Sequence, residues 1–433
     1  MLLKKFGVVA IVAILFFGRP HLCSAQTWTR GRGGDVVDVY WLALASSADG
    51  FKVAAAVAPP EEVPQLEPAN LALSTNAGVT WNYNSAPTGY WSAIASSADA
   101  SRLVAAQDLV DGVGGQIYTS TNAGTTWAST TAPSNAWSAV SSSADGENLN
   151  AVSPNGAIYR SSNGGSSWSQ SIAPSNCWFA IASSADGDRS VAVSLFTEIH
   201  PTNFFPGWIY RSTDSGNTWQ KTTAPSNDWV AVASSADGSN LVAVSGISGI
   251  SPNEGGGDGL IYRSSDAGST WSPTSAPSSP WTAVVSSADG TKLTACYAAA
   301  SSAQGHIYFS SDSGTTWKEP FVDPPLPHWT TLASAADGSK VVAGSVGLVG
   351  VLSIGPLPSF PQAPSLSIAT TGTNLALSWL VPSTPSVLQE IPSLTPATWS
   401  DTTNLPALIF SNLNNQIIMA PSAGNAFFRL RQR

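Results

Sequence analysis

The sequence predicts an all-β protein, a seven-bladed β-propeller followed by a small C-terminal β-sandwich module. Three observations carry this. A tryptophan-led segment recurs seven times, a second segment recurs six times between its copies, and both vanish beyond about residue 359. Composition agrees with them. Glycine (37), proline (30) and tryptophan (17) are abundant among 433 residues, and only 10% are charged, against about 25% in an average globular chain. Heptads and long Glu/Lys/Leu runs are absent, which excludes coiled coils and helical bundles.

The first segment reads Trp41-Leu-Ala-Leu-Ala-Ser-Ser-Ala-Asp49-Gly. Its tryptophan recurs as Trp91, Trp137, Trp178, Trp229, Trp281 and Trp329, and eight residues after each stands Asp99, Asp145, Asp186, Asp237, Asp289 or Asp337. Alternation along Trp-x-Ala-Ile/Val predicts a strand, and Ser-Ala-Asp-Gly a tight turn in which Asp bonds local backbone and Gly takes a positive φ. A Leu-Val-Ala-Val strand follows, then a variable loop. The second segment, Ile117-Tyr118-Thr-Ser120-Thr-Asn122-Ala-Gly124-Thr-Thr126-Trp127, supplies a third strand, a turn and the start of a fourth. Repeats of 40–50 residues with four strands each are the signature of propeller blades.

The second segment fits Ser-x-Asp/Asn-x-Gly-x-Thr-Trp, with Asn76, Asn122, Asn163, Asp214, Asp266 and Asp312 at its acidic position. It resembles the Asp-box (BNR) repeat of the sialidase-like propeller superfamily over roughly residues 27–355. The chain looks closer to photosystem II assembly-factor-like or sortilin-like non-catalytic propellers than to true sialidases. The resemblance implies that the box is a structural turn, away from the ligand face. It also implies that asparagine is tolerated there.

The seventh unit lacks a box, while Thr27-Trp28 is an orphan Thr-Trp near the N-terminus. The N-terminal strand is therefore expected to complete the last blade, leaving no free edge. Most tryptophans are expected in blade-to-blade packing. Residues 359–364 read as a linker and 365–433 as the β-sandwich module, with the basic tail Arg429, Arg431 and Arg433 as a solvated strand end.

Lys4 and Lys5 precede the apolar run Phe6–Phe17, and Ser24-Ala25 fits a small-residue cleavage site. Residues 1–25 thus read as a signal peptide, too short to span a membrane. The expected location is secreted or periplasmic. Removal would leave 15 bases against 27 acids, a net charge of −12. Nucleic acid and membrane insertion are poor matches for such a chain, and a monomer is expected. Cys177 and Cys296 would be the remaining cysteines, too few for a disulfide scaffold.

In a four-stranded blade, the first-to-second and third-to-fourth turns share one face. Here both are repeated motifs. The second-to-third loops on the opposite face differ in every unit, and variable loops on a repeated frame are where binding is built. The candidates are Asp108 and Asp111 of blade two, and Glu198, His200, Phe204, Phe205 and Trp208 of blade four. Asp228 in the link to blade five, and Glu254 and Asp258 within it, complete the set. Aromatics beside polar groups suit a sugar ring or a peptide side chain; equally, Phe204, Phe205 and Trp208 could pin a long loop to its own blade.

The favoured function is an exported, non-catalytic propeller recognising a glycan or an extracellular or periplasmic protein. The alternative is a glycoside hydrolase of the Asp-box superfamily. Hydrolysis generally needs two carboxylates about 5–10 Å apart, and no paired spacing stands out. The sialidase resemblance would require an arginine triad. Arg160, Arg211 and Arg263 share one repeat position, which places them toward the turn face, and the Arg-Ile-Pro motif is missing. No catalytic residue is assigned. His200, His306 and His328 lie on different blades, so no metal or other cofactor is expected, calcium on the acidic loops being the candidate kept open.

Overall fold

The computed structural model describes residues 26–30, 32–33, 40–58, 70–83, 86–109, 112–195, 197–200, 203–205, 207–246, 258–297, 305–319, 329–345, 348–354, 366–371, 374–381, 386–391, 399–410, 413–420 and 427–432. The expected signal peptide and linker lie outside them.

The described residues are all-β, and seven sheets follow the repeats, antiparallel except where Arg32–Gly33 adds in parallel to Thr80–Trp81 at the edge of blade one. Blade two shows the pattern: Trp91–Ser96, Leu103–Gln107, Ile117–Ser120 and Ala128–Ser129 pair in sequence order. Blade four inserts a hairpin, Thr197–His200 with Asn203–Phe205, between its second and third strands. The fourth strand of blade six shrinks to a bridge between Phe309 and Lys318. Blade seven takes its outermost strand from the other end of the chain, where Gln26–Arg30 pairs antiparallel with Leu348–Ile354.

The ring closes through backbone. In each Ser-Ala-Asp turn, Ala-Ala-Asp in the seventh blade, the alanine N–H before the aspartate donates to the matching alanine carbonyl of the next blade. The chain of bonds runs Ala48, Ala98, Ala144, Ala185, Ala236, Ala288, Ala336 and back to Ala48, at 2.6–2.8 Å. Alanine suits this collar because its Cβ is small enough for seven turns to converge on one axis. A second set of rungs lies outside it. Lys52, Asn148, Arg189, Asn240, Lys292 and Lys340 each donate from the side chain to the carbonyl of the next blade's turn aspartate. The turn glycines are tightly placed: at Gly338 (φ +64) a Cβ would stand 2.8 Å from Lys292 Cδ.

Between blades the core is aromatic. Trp91, Trp137, Trp178, Trp229, Trp281 and Trp329 are essentially fully buried. Five of them meet a third-strand tyrosine edge-on, as Trp178 does Tyr210 with ring centroids 5.0 Å apart. Such pairs contribute about 0.5–1.5 kcal/mol beyond area burial.

The Ser-x-Asp/Asn-x-Gly-x-Thr turns sit on the same face as the Ser-Ala-Asp turns and bond to them, Ser215 N–H to the Asp188 carbonyl for example. In three copies an aspartate accepts from the threonine hydroxyl, Thr270 Oγ1 to Asp266 Oδ2 at 2.6 Å. In the asparagine copies the direction reverses, Asn76 Nδ2 donating to Thr80 Oγ1 at 2.8 Å. A hydroxyl can do either, so both residue types close the same turn. Arg211 and Arg263 reach across to the next blade's turn, at Ala267 and Ser313.

The described residues between 366 and 432 form two further sheets. Ser367–Thr371, Asn374–Leu380, Asn414–Met419 and Ala407–Ile409 make one; Ser400–Asp401, Ser386–Ile391 and Phe427–Gln432 make the other. Leu377, Trp379, Leu388 and Ile417 fill the core between them. Arg429 lies over the Trp399 ring and donates to Gln389, while Arg431 pairs with Asp401. The module rests on the collar: its Val381, Leu380, Leu408 and Leu413 cluster with Ala48, Ala98, Ala144 and Ala336 of the propeller.

Candidate functional site

The face opposite the collar is where the inner strands begin, and there the repeat carries a built-in device. In six blades the residue after the leading tryptophan is the extra residue of a β-bulge. A bulge re-aims a side chain. Where that residue is Ser or Thr, its hydroxyl bonds the next tryptophan's carbonyl: Ser92 to Trp137, Ser138 to Trp178, Thr282 to Trp329 and Thr330 to Trp41, at 2.6–2.9 Å.

Three blades break this rule with apolar residues. Leu42 in blade one and Phe179 in blade four are 45% and 40% exposed, and Val230 in blade five is half-buried. Each gives up an inter-blade hydrogen bond; Leu42 and Phe179 present exposed hydrocarbon instead, while Val230 also packs against the core around Trp281. Phe179 and Val230 belong to neighbouring blades. Reading the sequence for variation in loops alone missed these three. Their signal was nonetheless present, as the column Leu, Ser, Ser, Phe, Val, Thr, Thr after the repeated tryptophan.

The structure spreads the sequence candidates unevenly around this mouth. Asp228 immediately precedes the blade-five strand, its carbonyl accepting from Gly246 N–H at 2.9 Å. That places a carboxylate beside Val230. Asp258 is committed internally: its carboxylate accepts from Ser245 Oγ, Leu260 N and Tyr262 Oη at 2.6, 3.0 and 2.7 Å. Burial raises its pKa, but these hydrogen bonds outweigh that and hold it below the usual carboxylate range. Burial, with the hydrogen bond to Asp258 added to it, pushes the Tyr262 phenol up.

Trp208 opens the third strand of blade four. Ser194 fixes its backbone on both sides, and Lys221 Nζ stands 2.9 Å from its ring centroid. Its indole face is therefore covered by a cation, a contact of about 0.5–2 kcal/mol that anchors the loop root. Asp108 is exposed and caps Leu109 N–H at 2.7 Å. In the inserted hairpin Glu198 registers with Phe204, Thr197 with Phe205 and His200 with Asn203. Asp111 and Glu254 lie outside the described residues. No group of three His, Cys, Asp or Glu able to hold a metal occurs among the described residues.

No family model matches the chain, and no curated protein does. Solved structures do. "YCF48 bound to D1 peptide" aligns with TM-score 0.51 and 11% identity, over 78% of this chain and 100% of its own. "YCF48 from Cyanidioschyzon merolae" aligns with TM-score 0.52 and 12% identity, over 75% and 98%. The fold is shared with YCF48. At such identities the likeness speaks for the propeller architecture and not for its ligands.

Proposed function

We propose that the chain is an exported, non-catalytic binding propeller of the Asp-box superfamily that recognises a protein segment through its bulge-bearing face. The observation that carries this is the trio Leu42, Phe179 and Val230, which forgo the inter-blade hydroxyl bond that Ser or Thr makes at the same position of the other four blades. Exposed hydrocarbon set in a polar repeat, Phe179 above all with Val230 at its half-buried flank, marks a docking site for an apolar group. Asp228 beside it favours a neutral or cationic ligand, as does the overall charge of −9. A propeller of the same fold, YCF48, is solved with D1 peptide bound, so a peptide is a ligand class that this fold can take. A glycan would use the same aromatic, Phe179, with Asp228 as hydrogen-bond acceptor.

Panning a random dodecapeptide library and a glycan array against the protein, then against the Phe179→Ser/Val230→Ser variant, tests the reading. Enriched apolar peptides lost by the variant are expected. Enrichment that survives the variant would overturn the site, and enrichment of glycans alone would overturn the peptide assignment.

A further inference from the structure

The apolar breaks in the hydroxyl column fall in two separate sectors of the ring. Phe179 and Val230 belong to adjoining blades four and five, whereas Leu42 stands in blade one. Between the sectors the position is polar. Ser92 and Ser138 hold it in blades two and three, Thr282 and Thr330 in blades six and seven, each hydroxyl bonded to a tryptophan carbonyl.

Leu42 has apolar company. By the register that sets Ser92 against Trp137, it lies toward Trp91 of blade two, and the residue before that tryptophan is Tyr90. The Tyr90 carbonyl accepts from Asp108 N–H at 2.8 Å, which brings in the blade-two loop with Leu109 and Val113. All four residues are open to solvent: Leu42 by 45%, Tyr90 by 55%, Leu109 by 48% and Val113 by 69%.

The loop does not need these side chains to stay in place. Backbone bonds hold its roots, Gln107 N–H to the Gln116 carbonyl at 3.0 Å and Gly115 with Asn135 in both directions at 2.8 and 3.1 Å. Trp208 at the root of the blade-four loop, by contrast, is covered by Lys221. Apolar groups left exposed on a loop that is already fixed are surface for a partner. A carboxylate accompanies each sector: Asp108, which caps the Leu109 N–H, and Asp228, two residues before Val230.

We infer that the bulge-bearing face takes an extended peptide by two apolar anchors, one on Leu42, Tyr90, Leu109 and Val113 and the other on Phe179 where it adjoins Val230. A lysine or arginine beside each anchor answers Asp108 and Asp228. Blade three separates the sectors on one side and blades six and seven on the other, so a peptide touching both spans the mouth of the ring. The inference rests on the function proposed above and adds the second anchor to it.

Full-length protein is titrated calorimetrically with N-acetyl-Leu-Lys-(Gly-Ser)n-Lys-Leu-amide, n running from one to six. The control peptide has glycine in place of the first leucine, with the same length and charge but a single anchor. At the best spacer the two-anchor peptide should bind more tightly by roughly tenfold or more, because linked anchors raise each other's effective concentration. Tyr90→Ser/Leu109→Ser should lower its affinity to the single-anchor level without changing the melting temperature, both residues being exposed. Exchanging both lysines for glutamate should weaken binding. No gain from the second leucine at any spacer would overturn the second anchor and leave the proposed function standing. So would binding weakened by Phe179→Ser yet unmoved by Tyr90→Ser/Leu109→Ser. No saturable binding of either peptide would overturn both. Glutamate peptides bound as tightly as the lysine ones would overturn the cationic flank.

Discussion

Thr330 Oγ1 donates to the Trp41 carbonyl at 2.8 Å, across the seam where the last blade meets the first. The two residues are 289 positions apart in sequence, yet the bond is the one Ser138 makes to the Trp178 carbonyl inside the ring, 40 positions apart. The seam is therefore built like any other interface. It has a collar bond, Ala336 to Ala48, and a side-chain rung, Lys340 to the Asp49 carbonyl. Thr330→Val removes the hydroxyl while keeping the shape. The loss should be about 1 kcal/mol, and urea denaturation should show a lower midpoint with an unchanged slope. A fall in the slope instead would mean that the ring opens before it unfolds.

The apolar breaks in the hydroxyl column predict a trade between stability and function. Phe179→Ser gives blade four the residue that bridges at Ser92 and Ser138, so its hydroxyl should bond the Trp229 carbonyl. The variant should be as stable as the parent or gain up to about 1 kcal/mol, although it loses an aromatic side chain. Binding at that face should disappear. A destabilised Phe179→Ser protein would show that the ring packs for stability and is not held there for a ligand.

The repeat made the architecture legible. A tryptophan and an aspartate eight residues apart, seven times over, fix the inner strand and its turn, and the orphan Thr27-Trp28 pointed to the strand that Gln26–Arg30 forms against Leu348–Ile354. The site was less legible, because what matters at Phe179 is a missing hydrogen bond, visible only once Ser92 and Ser138 show what the position normally does. Asp258 and Trp208 stood out as unusual loop residues, yet one is consumed by Ser245 and Tyr262 and the other by Lys221. Such partners come from separate strands, and no local pattern announces them. The seating of Leu413 over the collar had no sequence signal at all.

Cys177 and Cys296 are both free thiols, one half-buried and one buried. Burial pushes the Cys296 thiol up to about 12, and the thiolate is the reactive form. In the native protein an alkylating reagent at pH 8 should therefore modify Cys177 first and leave Cys296 untouched, as peptide mapping would reveal. Rapid native labelling of Cys296 would mean that blade six opens locally.

Acid should act on the aspartate turns and spare the asparagine ones. Hydrogen bonds from the Thr270 side chain and backbone hold the Asp266 carboxyl at about 2, and those from Thr316 do the same for Asp312. A folded-state pKa below the unfolded value of about 3.9 gives stability that is present above that value and lost as the pH falls toward 2. Both groups are exposed, so solvent screens the contribution. The melting temperature should decline between about pH 4 and pH 2, and less steeply in Asp266→Asn/Asp312→Asn, where the asparagine geometry of Asn76 replaces a titrating group. Identical pH profiles for parent and variant would assign acid sensitivity to other carboxylates.

Leu413 decides whether the module stays on the collar. Its φ is +54, a left-handed conformation that costs a non-glycine residue about 1–2 kcal/mol, and it lines the small cavity ringed by the collar alanines and serines. Strain at a loop tip persists when contacts over-determine it, and here Val381 and Leu408 pack in the same cluster as Ala48 and Ala98. Two substitutions separate the effects. Leu413→Asn suits the backbone but removes the hydrocarbon, whereas Leu413→Asp also brings a charge to the apolar rim. If the contact dominates, both should loosen docking, the aspartate more, by on the order of 2 kcal/mol. Small-angle scattering should then record a larger radius of gyration. If Leu413→Asn instead tightens the particle, relief of backbone strain outweighs the apolar contact and the collar does not hold the module through this side chain.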